Sequence, residues 1–302
     1  MSTRLEVTKT YKLFIDGKFP RSESGRTIAV AGPRGRVAAH VSHASRKDLR
    51  DAVTAARKAL PGWKNATAYL RGQILYRMAE MMEGKREELT AALVTGGEKP
   101  AAARQEVAAA IDRLVAYAGW ADKFAQVLGC NNAVAGPYYN FTVPEATGVV
   151  AVVAPDEPGL LGLVSLCAPA LCAGNAVVAV ASEKHLIGAA VLAEVFATSD
   201  LPGGVLNLLT GTRDELVPVI AGHRDIDAAI AAGVSEVQAR TLREGAAENV
   251  KRVRVLSEII AGRRGSKSSA VAIDWYDAAA CESPWWIEPV VEMKTIWHPS
   301  AV

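Results

Sequence analysis

The second half of the chain alternates strand-length apolar segments with helix-length ones, and few folds accommodate that order. Residues 148–154 (GVVAVVA) are apolar throughout, which is typical of a strand that is covered on both faces of its sheet. The other strands are predicted at 176–180, 205–209, 228–232 and 252–256. The helices between them are predicted at 160–171, 187–197, 215–221 and 235–246. This order predicts an α/β protein with a Rossmann-like, doubly wound parallel sheet and right-handed crossovers.

Short strands come before this alternation. In residues 11–19 (YKLFIDGKF), Leu13 and Ile15 alternate with polar residues, and the Asp16-Gly17 pair is typical of a tight turn. The segment therefore predicts a short hairpin. A second strand pair is predicted at 27–30 and 37–41, because a glycine-rich stretch separates two segments of strand length.

Three helices are predicted between these strands and the alternating half. Ser45 and Asp48 have the spacing of a capping box at the start of the first helix. Thr67 is the candidate N-cap of the second helix, and Pro100 fits the first turn of the third. These helices are expected to pack their apolar faces against the sheet.

Composition excludes several classes of protein. The formal net charge of +2 does not indicate a nucleic-acid-binding protein or one that binds an anionic membrane surface. No segment is long and apolar enough to span a bilayer, and the first ten residues lack the apolar region of a secretory signal. We therefore expect a cytoplasmic protein.

The four cysteines do not have the spacing of a metal site. There is no CxxC pair and no cluster of His and Cys with metal-ligand spacing, so we expect no metal and reduced thiols. Cys167 and Cys172 lie in an apolar segment and are predicted to be core residues.

Several segments, taken in order, resemble the aldehyde dehydrogenase family. Residues 12–19 (KLFIDGKF) resemble its opening hairpin, and residues 109–123 (AAIDRLVAYAGWADK) resemble its long N-terminal helix. Residues 144–155 (PEATGVVAVVAP) resemble the start of its first Rossmann strand. Residues 168–178 (APALCAGNAVV) resemble its APALAAGN-type segment, and residues 201–211 (LPGGVLNLLTG) its PPGVLN-type turn. The closing VEMKTIW resembles the oligomerisation strand of the family.

The resemblance implies that the chain is divided into four parts. Residues 1–130 would form the N-terminal hairpins and helices of a dinucleotide-binding domain, and residues 147–278 its Rossmann-like sheet. Residues 131–146 would begin a small β-flap for oligomerisation, and residues 279–302 would hold a linker and the closing flap strand. The middle flap piece begins at Tyr138 and ends at Val143, and the closing piece begins at Ile287 and ends at Trp297.

The positions that hold the cofactor in the family are partly changed. Its KPSE-type segment uses a Lys and a Glu to hold the adenosine ribose, and here VASE places Val180 at the Lys position and retains Glu183. Its GST-type helix start offers a Ser to the pyrophosphate, and here Val234 replaces that Ser. The cofactor positions that the resemblance retains are Pro155, Glu183, Gly211, Gly233 and Ser235. Because two side-chain contacts are gone, we expect no bound cofactor or at most a vestigial NAD(P) site, served by backbone N–H groups at a helix N-terminus.

The catalytic positions are changed as well. The family's loop after the first Rossmann strand carries an Asn that stabilises the oxyanion, and here the aligned residue is Glu157, whose carboxylate cannot donate. The family's general base, a Glu, falls at Leu256 or Arg263, depending on where an insertion lies, and neither can act as a base near neutral pH. In the family a whole catalytic domain with the nucleophilic Cys lies between the Rossmann sheet and the closing strand. Here that interval is short, and the context of its Cys281 (AAACESPWW) does not resemble the family's nucleophile loop.

These observations favour a pseudoenzyme subunit. It would form a homodimer, or a hetero-oligomer with a full-length aldehyde dehydrogenase, through the flap, since pairing of strand edges supplies main-chain hydrogen bonds. The cluster of Trp285, Trp286 and Trp297 indicates apolar surface that a partner or the chain's own core must cover. Two alternatives stay open: an NAD(P)-dependent aldehyde oxidoreductase with an unconventional site, and a nucleotide-binding module without catalysis.

Overall fold

The computed structural model describes residues 7–32, 35–256 and 273–300. The first described elements form a small sheet. Strands β1 (Lys9–Tyr11), β2 (Thr27–Ala31) and β3 (Val37–Ser42) lie in the order β1-β3-β2, with β2 and β3 antiparallel as predicted. The predicted hairpin is confirmed in minimal form, because Ile15 and Lys18 exchange two backbone hydrogen bonds of 3.0 Å. Asp16 and Gly17 form its turn with φ of 55° and 70°, the left-handed pair that a type I′ turn requires.

Five helices follow this sheet. They are α1 (Arg46–Lys64), α2 (Ala68–Gly84), α3 (Arg86–Thr95), α4 (Pro100–Trp120) and α5 (Phe124–Leu128). The predicted capping box is present: the Ser45 hydroxyl accepts from Asp48 N at 3.2 Å, and the Asp48 carboxylate accepts from Ser45 N at 2.8 Å. Sequence reasoning missed α3, because it has no side-chain cap and only one residue, Lys85, separates it from α2. Leu89 and Leu93 of α3 are fully buried, so packing rather than a local signal stabilises it.

The alternating half forms the predicted parallel sheet. Strands β6 (Val149–Val153), β7 (Ala176–Val180), β8 (Leu206–Leu209), β9 (Ala228–Ala232) and β10 (Arg252–Leu256) lie in the order β10-β9-β6-β7-β8. The connecting helices are α6 (Gly159–Cys172), α7 (Leu186–Ala197), α8 (Arg213–Gly222) and α9 (Glu236–Ala246). The chain moves outward from β6 through β7 to β8 and then crosses to β9 and β10. The direction of winding therefore reverses between β6 and β9.

Each face of this sheet packs against a separate hydrophobic core. Val150 and Val152 of β6 face the core built with α2, α3, α4, α6 and α7, and Val149, Ala151 and Val153 face the core built with α1, α8 and α9. All five residues of β6 are buried. This explains why the strand sequence is continuously apolar instead of alternating with polar residues.

The flap is a second small sheet. Strands β4 (Cys130–Asn132), β5 (Tyr138–Ala146) and β11 (Val291–Pro299) lie in the order β11-β5-β4, and β5 is antiparallel to both neighbours. The closing strand begins at Val291 and not at Ile287 as predicted. Residues 288–290 form a 3-10 turn in which Pro289 has no N–H for a strand ladder, and Ile287 and Val290 are fully buried.

A folded strap, residues 273–290, leads into the closing strand β11 of the flap. It contains the short helix α10 (Ala278–Cys281) and the 3-10 turn Pro284–Trp286, where a linker was predicted from residue 279 onward. Tyr117 donates to Cys281 O at 2.9 Å, Trp120 Nε1 donates to Glu282 O at 2.7 Å, and Asn175 Nδ2 donates to Val290 O at 2.9 Å. The strap is therefore fixed along α4 and at the start of β7.

The three tryptophans that were predicted to form one cluster lie in different surroundings. Trp286 packs against the core and against the buried Trp275, with ring centroids 5.8 Å apart. Trp285 is exposed on the strap and Trp297 is exposed on the flap.

Lys251, at the start of β10, is buried beneath the end of α8. It is 5% exposed, and its ammonium group donates to Ile220 O at 2.9 Å and to His223 O at 2.8 Å. These are carbonyls of the last helical turn, where a cation is favoured. Burial lowers the pKa of Lys251 to about 8, although Asp227 and Glu248 oppose the shift.

This lowered pKa predicts a pH-dependent stability. Above pH 8 the folded chain loses the Lys251 proton, whereas the unfolded chain keeps it up to the ordinary pKa of 10.5. The free energy of unfolding should therefore rise between pH 8 and 10.5, by up to about 1.4 kcal/mol per pH unit from this residue. Urea unfolding of wild type and of Lys251→Met should give curves that diverge in favour of the wild type above pH 8. Parallel curves would contradict the buried ammonium.

Candidate functional site

Four loops meet at the carboxyl edge of the parallel sheet. They follow β6, β7, β8 and β9 and lead into α6, α7, α8 and α9. In doubly wound folds, ligands bind in the crevice at this edge, where the direction of winding reverses. Here that point is the gap between the ends of β6 and β9, which is therefore the candidate site.

Arg213, the first residue of α8, fills this gap. Its side chain is buried and forms a bidentate pair with the Asp156 carboxylate, in which Nη1 lies 2.7 Å from Oδ2 and Nη2 lies 2.8 Å from Oδ1. Nη2 also donates to Ala154 O at 2.7 Å, and Nη1 donates to Gly233 O at 3.4 Å. One guanidinium group therefore joins the ends of β6 and β9 across the switch point.

Asp156 is held from the other side by the loop after β7. Its Oδ1 accepts from Glu183 N at 2.8 Å and from the Ser182 hydroxyl at 3.1 Å. Burial alone would raise the pKa of Asp156, but the hydrogen bonds and charge of Arg213 outweigh it and lower the pKa. Asp156 is therefore an anion with its acceptors engaged, and Arg213 is its counter-ion.

The helix N-termini at this edge are engaged by the chain's own side chains. Glu106 Oε1, buried on α4, accepts from Leu160 N at 2.7 Å and Leu161 N at 3.1 Å at the start of α6. Glu183 Oε1 accepts from Arg213 N at 2.6 Å at the start of α8. Ser182 Oγ accepts from the backbone N of Lys184 and His185 ahead of α7, and Ser235 Oγ accepts from Gln238 N in α9. Burial raises the pKa of Glu106, although its two backbone hydrogen bonds oppose the shift.

The predicted cofactor positions are only partly brought together. Pro155, Glu183 and Gly233 surround the Arg213–Asp156 pair, whereas Ser235 is an exposed N-cap on α9. Pro155 lies against α6, where a Cβ on Gly162 would come within 2.3 Å of the proline ring. Gly211 is buried between α8 and the start of α1. A Cβ on Gly211 would lie 3.1 Å from Leu216 Cδ1 and 3.4 Å from Ala44 O.

Valines stand at the two positions where the resemblance expected polar contacts. Val180 is fully buried as the last residue of β7 and packs in the core, so its side chain points away from any ligand at the edge. Val234 is partly buried and packs against the same core.

The positions that the resemblance gave as degenerate catalytic positions do not form a cluster among the described residues. Glu157 is exposed and pairs with Lys184, which also lies 3.5 Å from Glu98 Oε1. Leu256 is buried at the end of β10, and Arg263 lies outside the described residues. Cys281 is buried in the strap, its thiol donates to Asp274 O at 3.3 Å, and burial raises its pKa. A thiol with a raised pKa stays protonated at neutral pH, and the thiolate is the nucleophilic form.

Sequence reasoning missed the three residues that organise this edge, Arg213, Asp156 and Glu106. Asp156 directly precedes Glu157 in the PDEPG loop, and a second carboxylate in that loop was the available signal. For Arg213 and Glu106 there was none, because charged side chains at helix positions are usually solvent-exposed.

A large open groove lies elsewhere on the described part of the chain. It has a volume of about 930 Å³ and lies between α2 and α4, with Tyr69, Tyr76 and Val115 among its lining residues. Asp200 and Pro202, which precede β8, also line it, so it is at the amino edge of the sheet and away from the loops described above. Among the described residues, no group of three or more His, Cys, Asp or Glu could hold a metal ion. No helix in the described ranges is long and apolar enough to cross a membrane.

Comparison with known proteins agrees with this architecture. The profile of the aldehyde dehydrogenase family matches residues 19–272. The mitochondrial benzaldehyde dehydrogenase of Antirrhinum majus is 32% identical over 247 residues, which is 80% of this chain and 46% of that protein. Retinal dehydrogenase 2 of Mus musculus is 34% identical over 255 residues, which is 82% of this chain and 48% of that protein.

The fold also matches solved structures. The NAD+ complex of an aldehyde dehydrogenase from Bacillus cereus has a TM-score of 0.78 at 28% identity, covering 83% of this chain and 51% of that one. The chain spans about half the length of the relatives it matches. The portion matched by the family profile holds the helices α1 to α9 and the parallel sheet. By sequence and by fold, the chain belongs to the aldehyde dehydrogenase family.

Proposed function

We propose that this chain is a non-catalytic, aldehyde dehydrogenase-like subunit that assembles through its flap. Its partner is a second copy of itself or a full-length aldehyde dehydrogenase, which it serves as a structural or regulatory component. The observation that carries the proposal is the open, nine-residue edge of β11 on a sheet of only three strands.

The two outer edges of the flap have no strand partner among the described residues. Both β4 and β11 pair only with β5, so each presents its other row of backbone N–H and C=O groups outward. A long open edge is a template for pairing with another chain, and native proteins generally cover such edges. Strand addition would satisfy the outward-facing groups of β11 that follow Val291, whose carbonyl already accepts from Arg252.

Exposed aromatic side chains accompany this edge. Tyr138 and Trp297 are 47% and 59% exposed and meet edge to face, with ring centroids 5.8 Å apart. Tyr139, in the same strand as Tyr138, is 51% exposed. Large aromatic residues are typical anchors of protein interfaces, so the flap combines a backbone template with side chains suited to burial.

The site residues support the non-catalytic part of the proposal. Cys281 is buried and its thiol is hydrogen-bonded within the strap, which does not present the thiol as a nucleophile. Glu157 offers a carboxylate where the family's chemistry uses a hydrogen-bond donor, and Leu256 offers no titratable group.

The assembly is tested by replacing exposed flap aromatics. In analytical ultracentrifugation we expect the wild type to sediment as a dimer or larger. If its partner is a full-length aldehyde dehydrogenase instead, we expect the two to co-purify after co-expression. Trp297→Lys with Tyr139→Lys should weaken that association at least tenfold, because each lysine introduces a charge that is costly to bury. The matched control is Tyr69→Lys with Tyr76→Lys, which removes two exposed tyrosines from α2 and should leave association unchanged.

A wild type that stays monomeric at tens of micromolar and captures no aldehyde dehydrogenase would refute the assembly. The non-catalytic part has its own test. We expect no NADH when the protein is mixed with aldehyde and NAD. Turnover that survives Cys281→Ala would show that a different residue performs the chemistry.

A further inference from the structure

The dinucleotide cofactor implied by the family must place two negatively charged phosphates at the carboxyl edge of the sheet. Proteins hold such phosphates with free backbone N–H groups at helix N-termini or with cationic side chains. In this chain some of the N–H groups at the starts of α6, α8 and α9 already serve internal acceptors. Glu106 accepts from α6, Glu183 accepts from α8, and Ser235 accepts from α9.

The cationic side chain is engaged as well. Arg213 has both terminal nitrogens on Asp156, and each also donates to a backbone carbonyl, of Ala154 or Gly233. Only its Nε lacks a hydrogen-bond partner, and that atom is buried. A phosphate would have to displace Asp156 to reach this guanidinium group.

The charge of the edge opposes an anion. Asp156 and Glu183 are two carboxyl groups at this edge, and the cation beside them, Arg213, is already paired with Asp156. The nearby Lys184 is paired with Glu157 and lies 3.5 Å from Glu98. Like charges in a partly buried site repel strongly, because little solvent screens them.

We propose that the Arg213–Asp156 pair is an internal plug that closes the dinucleotide crevice. The residues present do not fit NAD(P): the guanidinium group occupies the switch point, and Glu106 and Glu183 accept from backbone N–H groups at the starts of α6 and α8. The plug also joins the ends of β6 and β9, which keeps this edge ordered without a ligand. The proposal concerns the crevice alone and stands or falls independently of assembly through the flap.

The test compares binding of NAD+ and of ADP-ribose to the wild type and to Arg213→Ala with Asp156→Asn, by isothermal titration calorimetry and thermal shift. The wild type should show no saturable binding at millimolar ligand and no rise in melting temperature. The double variant loses both charged partners together, so no uncompensated charge stays buried. It should bind ADP-ribose at least tenfold more tightly than the wild type. A matched control, Arg240→Ala with Asp225→Asn, changes exposed residues of the same types and should behave as the wild type.

Two outcomes would overturn the plug. One is saturable NAD+ binding by the wild type with a submillimolar dissociation constant, above all if Arg213→Ala weakens it, because Arg213 would then be a ligand. The other is a folded double variant that binds no better than the wild type. If that variant does not fold, Arg213→Lys with Asp156→Asn takes its place. It keeps a cation but removes the carboxylate partner, and the same gain in affinity is expected.

Discussion

Replacing Trp63 by alanine is expected to lower the free energy of unfolding by about 3–5 kcal/mol. Trp63 is 1% exposed at the end of α1, and its Nε1 donates to Leu171 O at 3.1 Å at the end of α6. The other apolar buried residues of α1 face the opposite core, so Trp63, with the partly buried Ala59, links this helix to the core built with α6. Its removal leaves a large cavity that the surrounding helices cannot fill.

Two further variants separate packing from hydrogen bonding in this prediction. Trp63→Phe keeps most of the volume, and Leu171 O still accepts from Gly174 N at 3.0 Å, so the loss should stay near 1.5 kcal/mol. Trp285→Ala removes the same side chain from an exposed position on the strap and should change stability by less than about 0.5 kcal/mol. Urea unfolding followed by far-UV circular dichroism measures all three. Equal losses for the three variants would contradict this reading of the core.

Arg113→Met is expected to release the strap and to lower the free energy of unfolding by about 3 kcal/mol. The Arg113 side chain is 1% exposed on α4. It donates to Ser165 Oγ at 2.5 Å and to Trp275 O at 2.9 Å, and its Nε lies 3.7 Å from Glu282 Oε1. Methionine fills much of the volume but leaves a strap carbonyl without a donor and Glu282 without a cation.

Limited proteolysis and tryptophan fluorescence identify the segment that is released. Cleavage within 273–290 should accelerate, and emission should shift to longer wavelength as the buried Trp275 becomes hydrated. Arg104→Met, at an exposed position of the same helix, is the matched control and should change neither readout. If Arg113→Met matches that control, the strap is held by other contacts.

Most of the fold could be predicted from local sequence. Periodicity and turn residues predicted strands β7, β9 and β10 with the bounds that the structure shows, and other strands of the sheet to within a residue or so. The capping residues Ser45 and Thr67 also predicted the starts of α1 and α2. These features are local: a continuous apolar run or a cap has the same physical meaning in any surrounding.

The strap and α3 were beyond such reasoning. Neither has a strong local signal, and both are fixed by contacts to distant parts of the chain. Leu89 and Leu93 of α3 are buried in the core shared with α7, and Trp275 reaches Arg113, which is 162 residues earlier. The composition of the strap resembles that of a linker and did not indicate a folded segment, because the hydrogen bonds that fix the strap go to partners outside it.

The sequence by itself determined the α/β class, the strand and helix order and the membership of the aldehyde dehydrogenase family. The tertiary structure decided what occupies the edge where a ligand would bind. Arg213 and Asp156 are 57 residues apart, and Glu106 is 54 residues from the helix it caps. In the sequence each is one more charged residue. Only the fold brings them to the same edge of the sheet. There Arg213 and Asp156 pair in a buried site, and that pair would close the crevice to a ligand.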